Sequence, residues 1–120
     1  MIALVLSGCA TPQPATGDGV ARAGLNQRVY VDGPYVTPLA VIEDSRCPVG
    51  VRCISAGRIR ITVRIDLGAR SAVAELSSDK PLQVADGLLS LVEVQPALQR
   101  GEQPGRDSRY RFGMRFTGGI

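Results

Sequence analysis

The chain contains no histidine and no tryptophan, and its only lysine is Lys80. Without histidine it lacks the commonest general base near neutral pH and the commonest metal ligand. Ser-His-Asp and Cys-His nucleophile sets are therefore ruled out by composition. Aromatic residues make up 4% of the chain, too few for a platform that stacks bases or sugars. No apolar run approaches the roughly 18 residues that a membrane-spanning helix requires. The formal net charge is +3, from 14 basic and 11 acidic residues, which is too small to imply a nucleic-acid partner. The carboxylates offer little for hydrolysis. Glu43 and Asp44 are adjacent, so in a strand they point to opposite faces and cannot flank one bond. The composition thus points away from an enzyme and implies no cofactor and no metal.

What is present begins with an apolar N-terminus. Met1–Leu6 are hydrophobic and are followed by Ser7-Gly8-Cys9. This L-S-G-C ending resembles the lipobox of bacterial lipoproteins. The resemblance implies cleavage before Cys9 and lipidation of its thiol, with residues 1–8 as the signal peptide. The run is short and has no positive segment ahead of it, which implies a start further upstream. Ala10 follows the cysteine where an inner-membrane retention signal would have Asp. The same resemblance therefore implies an outer-membrane lipoprotein facing the periplasm. Residues 9–24, rich in Ala, Thr, Pro and Gly, read as the lipidated cysteine and a flexible tether.

From Leu25 to Ile120 the chain reads as one β-domain, within the length a single domain accounts for. Apolar residues alternate with polar ones at period two. The clearest strand is Arg58–Leu67, with Ile59, Ile61, Val63, Ile65 and Leu67 on one face. Arg58, Arg60, Thr62, Arg64 and Asp66 lie on the other. Arg109–Phe116 alternates likewise, with Tyr110, Phe112, Met114 and Phe116 inward. Weaker strands are expected at Leu25–Val31, Tyr35–Glu43, Ser71–Leu76, Lys80–Ala85 and Leu88–Gln95. Pro38 marks an edge or a bulge. Gln99–Ser108 reads as a long exposed loop. With about seven strands and no helix, the expected fold is all-β, a small antiparallel β-sandwich or barrel.

Cys47 and Cys53 sit between two strands, in the stretch from Val41 to Gly57. An exported chain meets oxidising conditions, where such a pair becomes a disulfide. Five residues separate them, Pro48 and Gly50 among them, which lets the chain fold back. Two thiols without histidine make a poor zinc site, and the spacing is not that of a C-x-x-C redox pair. Asp44, Ser45 and Arg46 precede the cysteines as a hydrogen-bonded turn or, alternatively, as a polar rim for a ligand.

The pattern E-D-S-R-C-P-x-x-V-x-C-x-x-A-G over Glu43–Gly57, followed by an alternating strand, resembles a group of small exported bacterial lipoproteins of unknown function. The segment from Leu89 to Pro96 and the closing Y-R-F-G-M-R-F are also similar. The resemblance implies a β-rich envelope domain and carries no activity. Where that group often has an aromatic before A-G, this chain has Ser55.

The remaining functional lead is arginine. Arg58, Arg60 and Arg64 lie on one strand face, and Arg109, Arg111 and Arg115 on another. If those strands are neighbours, the six form one anion-binding face for lipid headgroups or an acidic envelope protein, with Asp66, Glu75 or Glu93 interspersed. Arg46 and Arg52 would stand beside it. The expectation is a non-enzymatic binding or structural module anchored to the envelope membrane. The alternatives are a small periplasmic inhibitor of a hydrolase such as lysozyme, acting through the Gln99–Ser108 loop, and, ranked behind it, an enzyme, which would need a deep pocket with two convergent carboxylates.

Overall fold

A computed structural model describes residues 19–97 and 109–118. Residues 1–8, read as a signal peptide, Cys9, the first part of the stretch read as tether and the segment Gln99–Ser108, read as a loop, lie outside the described residues. Eight strands follow in chain order: β1 (Ala21–Gly24), β2 (Val29–Tyr30), β3 (Tyr35–Asp44), β4 (Ile59–Leu67), β5 (Arg70–Ser77), β6 (Leu82–Val84), β7 (Gly87–Gln95) and β8 (Arg111–Thr117). They form two four-stranded antiparallel sheets, ordered β2-β3-β4-β5 and β1-β8-β7-β6. This is a β-sandwich. Its strands run in sequence order around the molecule, with β8 returning beside β1. The fold is thus a flattened meander opened along two seams, β1/β2 and β5/β6.

The period-two pattern places the core. Ile59, Ile61, Val63 and Ile65 of β4 are buried, in one cluster with Phe112 and Met114 of β8 and Leu89 and Leu91 of β7. Tyr110 stacks on Phe112 with ring centroids 5.5 Å apart. Two residues expected inside are only partly so. Leu67 is exposed because it ends β4 at the Gly68 hairpin, and Phe116 is half-buried near the end of β8.

The structure corrects two boundaries. Residues 21–24, read as tether, form β1 and pair with Gly113 and its neighbours on β8, with Ala21 and Ala23 buried. The domain therefore begins well before Leu25, since Val20 is already buried against it. The strand expected at Leu25–Val31 shrinks to Val29–Tyr30. Asn26 adopts φ 64°, and its N–H donates to the Pro38 carbonyl at 2.6 Å, so the chain turns a corner there from one sheet to the other.

Pro38 does mark an irregularity. The β3–β4 register shifts twice, between Pro38 and Ala40 and again between Val41 and Glu43. Each extra residue flips the faces of the residues downstream of it. Val36, Pro38, Val41 and Asp44 all end up opposite the inward row of β4.

Candidate functional site

The second of those shifts sets the chemistry of the Val41–Gly57 stretch. It turns Glu43 outward, opposite Arg60, and carries Asp44 inward, opposite Ile59. The Asp44 side chain is fully buried. A buried carboxylate is tolerated only when it is paired and hydrogen-bonded. Arg46 supplies a fork, with Nε donating to Oδ1 and Nη2 to Oδ2, both at 2.7 Å. Tyr110 donates its hydroxyl to Oδ2 at 2.7 Å. The Arg46 backbone N–H adds a longer bond to Oδ1 at 3.3 Å.

Arg46 is held in turn by the opposite sheet. Its Nη1 donates to the carbonyls of Val94, at 3.3 Å, and Pro96, at 3.1 Å. Asp44 belongs to β3, Val94 to β7, and Tyr110 immediately precedes β8. The Asp44–Arg46–Tyr110 group is therefore a clasp between the two sheets at one end of the sandwich. Burial pushes the Asp44 carboxyl upward, but the hydrogen bonds from Arg46 and Tyr110 outweigh it and hold the group below its usual range. The Asp44 bond also raises Arg46 further.

Beyond the clasp the chain makes a closed loop. Ser45 continues the β3–β4 ladder: its N–H donates to the Arg58 carbonyl at 2.8 Å, and its Oγ accepts from the Arg58 N–H at 3.1 Å. The hydroxyl lies 3.0 Å from both Glu43 Oε2 and the Arg58 carbonyl, either of which can take its proton. Cys47 N–H donates to the Ala56 carbonyl at 3.0 Å, and the Cys47–Cys53 disulfide closes the loop with Cα atoms 6.0 Å apart. Gly57 sits at φ 71°, and a Cβ there would overlap the Ser45 carbonyl. The loop rim turns Val49 and Ile54 to solvent; Ile54 is fully exposed.

The arginines do not assemble as expected. β4 and β8 belong to different sheets, because β8 pairs with β1 and β7. Arg58, Arg60 and Arg64 therefore lie with the β4 sheet, whereas Arg109, Arg111 and Arg115 lie with the other. The six share no face.

The β4 row is also occupied by carboxylates. Arg60 bridges Glu43 at 2.5 Å and Glu75 at 2.7 Å, and Arg58 reaches Glu43 and Asp79, both at 3.3 Å. Arg64 meets Asp66 at 3.2 Å and Ser71 at 2.9 Å. Asp66 and Glu75 thus intersperse as expected. Glu93 lies in the other sheet, where it pairs with Arg22 at 2.5 Å. That pair sits over buried Gly113, where a Cβ would crowd the Glu93 side chain at 2.8 Å. Arg46 is turned inward and does not stand on any arginine face. Arg52 is exposed on the loop.

Sequence reasoning missed Tyr110 as a polar partner. It reads as one more inward aromatic, and nothing local ties it to a carboxylate 66 residues away. A signal did exist at Asp44: an acid that ends an alternating strand with an arginine two positions on, a spacing that allows a fork.

Among the described residues no cluster of three or more potential metal ligands occurs, and no helix is long and apolar enough to cross a membrane. Comparison of the chain with known protein families, with curated proteins and with solved structures returned no match.

Proposed function

We propose that this chain is an envelope lipoprotein, anchored through a lipid on Cys9, whose β-domain serves as a non-enzymatic binding or structural module. One observation carries the reading of the domain. The Val41–Gly57 stretch forms a knot: the four polar side chains that lead into it, Glu43, Asp44, Ser45 and Arg46, are all engaged in bonds within the molecule, while its disulfide-closed loop turns Val49 and Ile54 outward beside the exposed Arg52 and Ser55. Groups engaged in this way hold shape, and exposed aliphatic side chains on a pinned loop suit contact with a partner. The L-S-G-C sequence supports the anchor.

The anchor is tested by metabolic labelling with palmitate and by membrane fractionation. The expected result is a labelled, membrane-bound chain and an unlabelled, released Cys9→Ser variant. An unlabelled native chain, or a variant that stays membrane-bound, overturns it. The binding role is tested with a photo-cross-linking residue at position 54. A discrete adduct that disappears with Val49→Asp supports it; no adduct refutes it.

The inhibitor alternative, which the sequence attaches to the Gln99–Ser108 loop, gains a second carrier in the knot. A covalently closed loop with an aliphatic tip has the form of a plug for a hydrolase cleft. Lysozyme activity measured with the native chain and with Ile54→Asp decides it: inhibition lost in the variant is the expected outcome of that reading.

A further inference from the structure

Among the described residues, each sheet has two edges, and three of the four are short. β1 has four residues, β2 two and β6 three. Brevity is one way a protein keeps an edge from pairing with another chain. The fourth edge, β5, has eight residues. Its register against β4 runs from Arg60↔Ser77 to Leu67↔Arg70 without a bulge. It contains no proline and no lysine. Its middle, Ser71-Ala72-Val73-Ala74, is small and uncharged. Beyond an isolated bridge from Ser77 to Lys80 at its end, its outer side has no strand neighbour among the described residues.

Beside this edge, the β5/β6 seam holds an apolar groove of about 300 Å³, lined by Ile65, Leu67, Ala72, Ala74, Leu82 and Val84. The groove exists because Ala72 and Ala74 of β5 are too small to fill the space up to β6.

We propose that β5 pairs edge to edge, antiparallel, with β5 of a second copy of this chain, centred on Val73. The strand is self-complementary in that register. Directly opposed residues share a face, so a two-fold pairing must centre on a residue. With Val73 at the centre, it meets its own copy. It is 64% exposed, the most exposed large hydrophobic residue of the strand. Ser71 then lies opposite Glu75 of the copy, twice by symmetry, a hydroxyl facing a carboxylate. Ala72 lies opposite Ala74. No like charges oppose each other within this segment, and unlike or apolar cross-strand pairs favour pairing. The two sheets would join into one of eight strands, and the two grooves would face each other across the junction. A single strand pairing buries less than the roughly 1,200 Å² of a standard interface, so the dimer is weak and concentration-dependent.

The test uses the full chain with Cys9→Ser, which carries no lipid. Sedimentation equilibrium from about 1 μM to about 1 mM is expected to show a monomer–dimer equilibrium. Val73→Lys, which sets two ammonium groups opposite each other, is expected to weaken it by about tenfold or more while leaving the far-UV spectrum and melting temperature unchanged. A short thiol cross-linker is expected to join Val73→Cys chains and not Val92→Cys chains, whose site is exposed on the other sheet. A chain that stays monomeric throughout overturns the proposal. So does a dimer indifferent to Val73→Lys, or one that cross-links equally well through position 92. A monomer that instead takes up an added apolar β-peptide at this edge also overturns it, in favour of a foreign strand.

Discussion

Asp44 is the residue on which the two sheets meet. Its side chain has no solvent contact, and the arginine it faces is committed to it. Removing its charge leaves Arg46 buried without a counter-ion, so Asp44→Asn should cost about 3–5 kcal/mol in urea unfolding. Tyr110→Phe leaves the arginine fork in place and should cost about 1 kcal/mol. A loss for Asp44→Asn as small as about 1 kcal/mol would show that the buried ion pair contributes little.

The pH dependence has a definite sign. The folded-state pKa of Asp44 lies below its ordinary value of 3.8. Its stabilisation is therefore complete above about pH 4 and is lost as pH falls through the depressed value. Stability measured between about pH 6 and pH 2 should fall less steeply in Asp44→Asn than in the native chain. Glu43, Asp66 and Asp79, also lowered by their hydrogen bonds, remain in both proteins and account for the residual slope.

At the scale of elements, the knot works as a turn pinned at both ends. Gly50 and Gly57 both have positive φ, but only Gly57 faces backbone where a Cβ would stand. Gly50→Ala carries the conformational cost alone, about 1 kcal/mol, whereas Gly57→Ala adds a collision with the Ser45 carbonyl. Gly57→Ala should therefore be the more destabilising of the two by thermal melting, and equal shifts would contradict this account. Removing the disulfide with Cys47→Ser and Cys53→Ser should cost about 2 kcal/mol, since the loop it closes is short. The same change should speed hydrogen exchange at the Cys47 amide, which bonds to Ala56 across the loop.

β4 was legible because nothing interrupts its alternation. β3 was not legible in its faces, because its two register shifts leave no mark in the sequence beyond Pro38. The two shifts cancel beyond Glu43, so Asp44 faces inward as unbroken alternation from Val36 would have it, while Val41, between them, is the residue they turn inward.

At the scale of the whole molecule, the chain closes on itself through β1 and β8. A chain beginning at Leu25 lacks β1, exposes the edge of β8 and uncovers part of the core near Phe112 and Met114. It should aggregate on refolding, while one beginning at Gly19 stays monodisperse in light scattering at low concentration. Equal behaviour of the two would mean that β1 is dispensable. The same topology separates the two arginine rows. Strand pairing sends β8 to the sheet of β1 and β7, and the β4 row is left among Glu43, Glu75, Asp66 and Asp79.

Period-two alternation, turn residues and the two cysteines of the knot were sufficient for an all-β fold, for most strand positions and for the Cys47–Cys53 pairing. Those are local properties, set by side-chain direction and by loop length. Which strands neighbour each other, which way Val41 faces between the two register shifts and what Tyr110 bonds to depend on contacts between residues far apart in the chain. The pairing of β1 with β8, the clasp across the sheets and the separation of the arginines arise from burial and hydrogen bonding in the closed sandwich. Apart from the Asp44–Arg46 fork, whose partners lie two residues apart, no short window of sequence contains both partners of any of them.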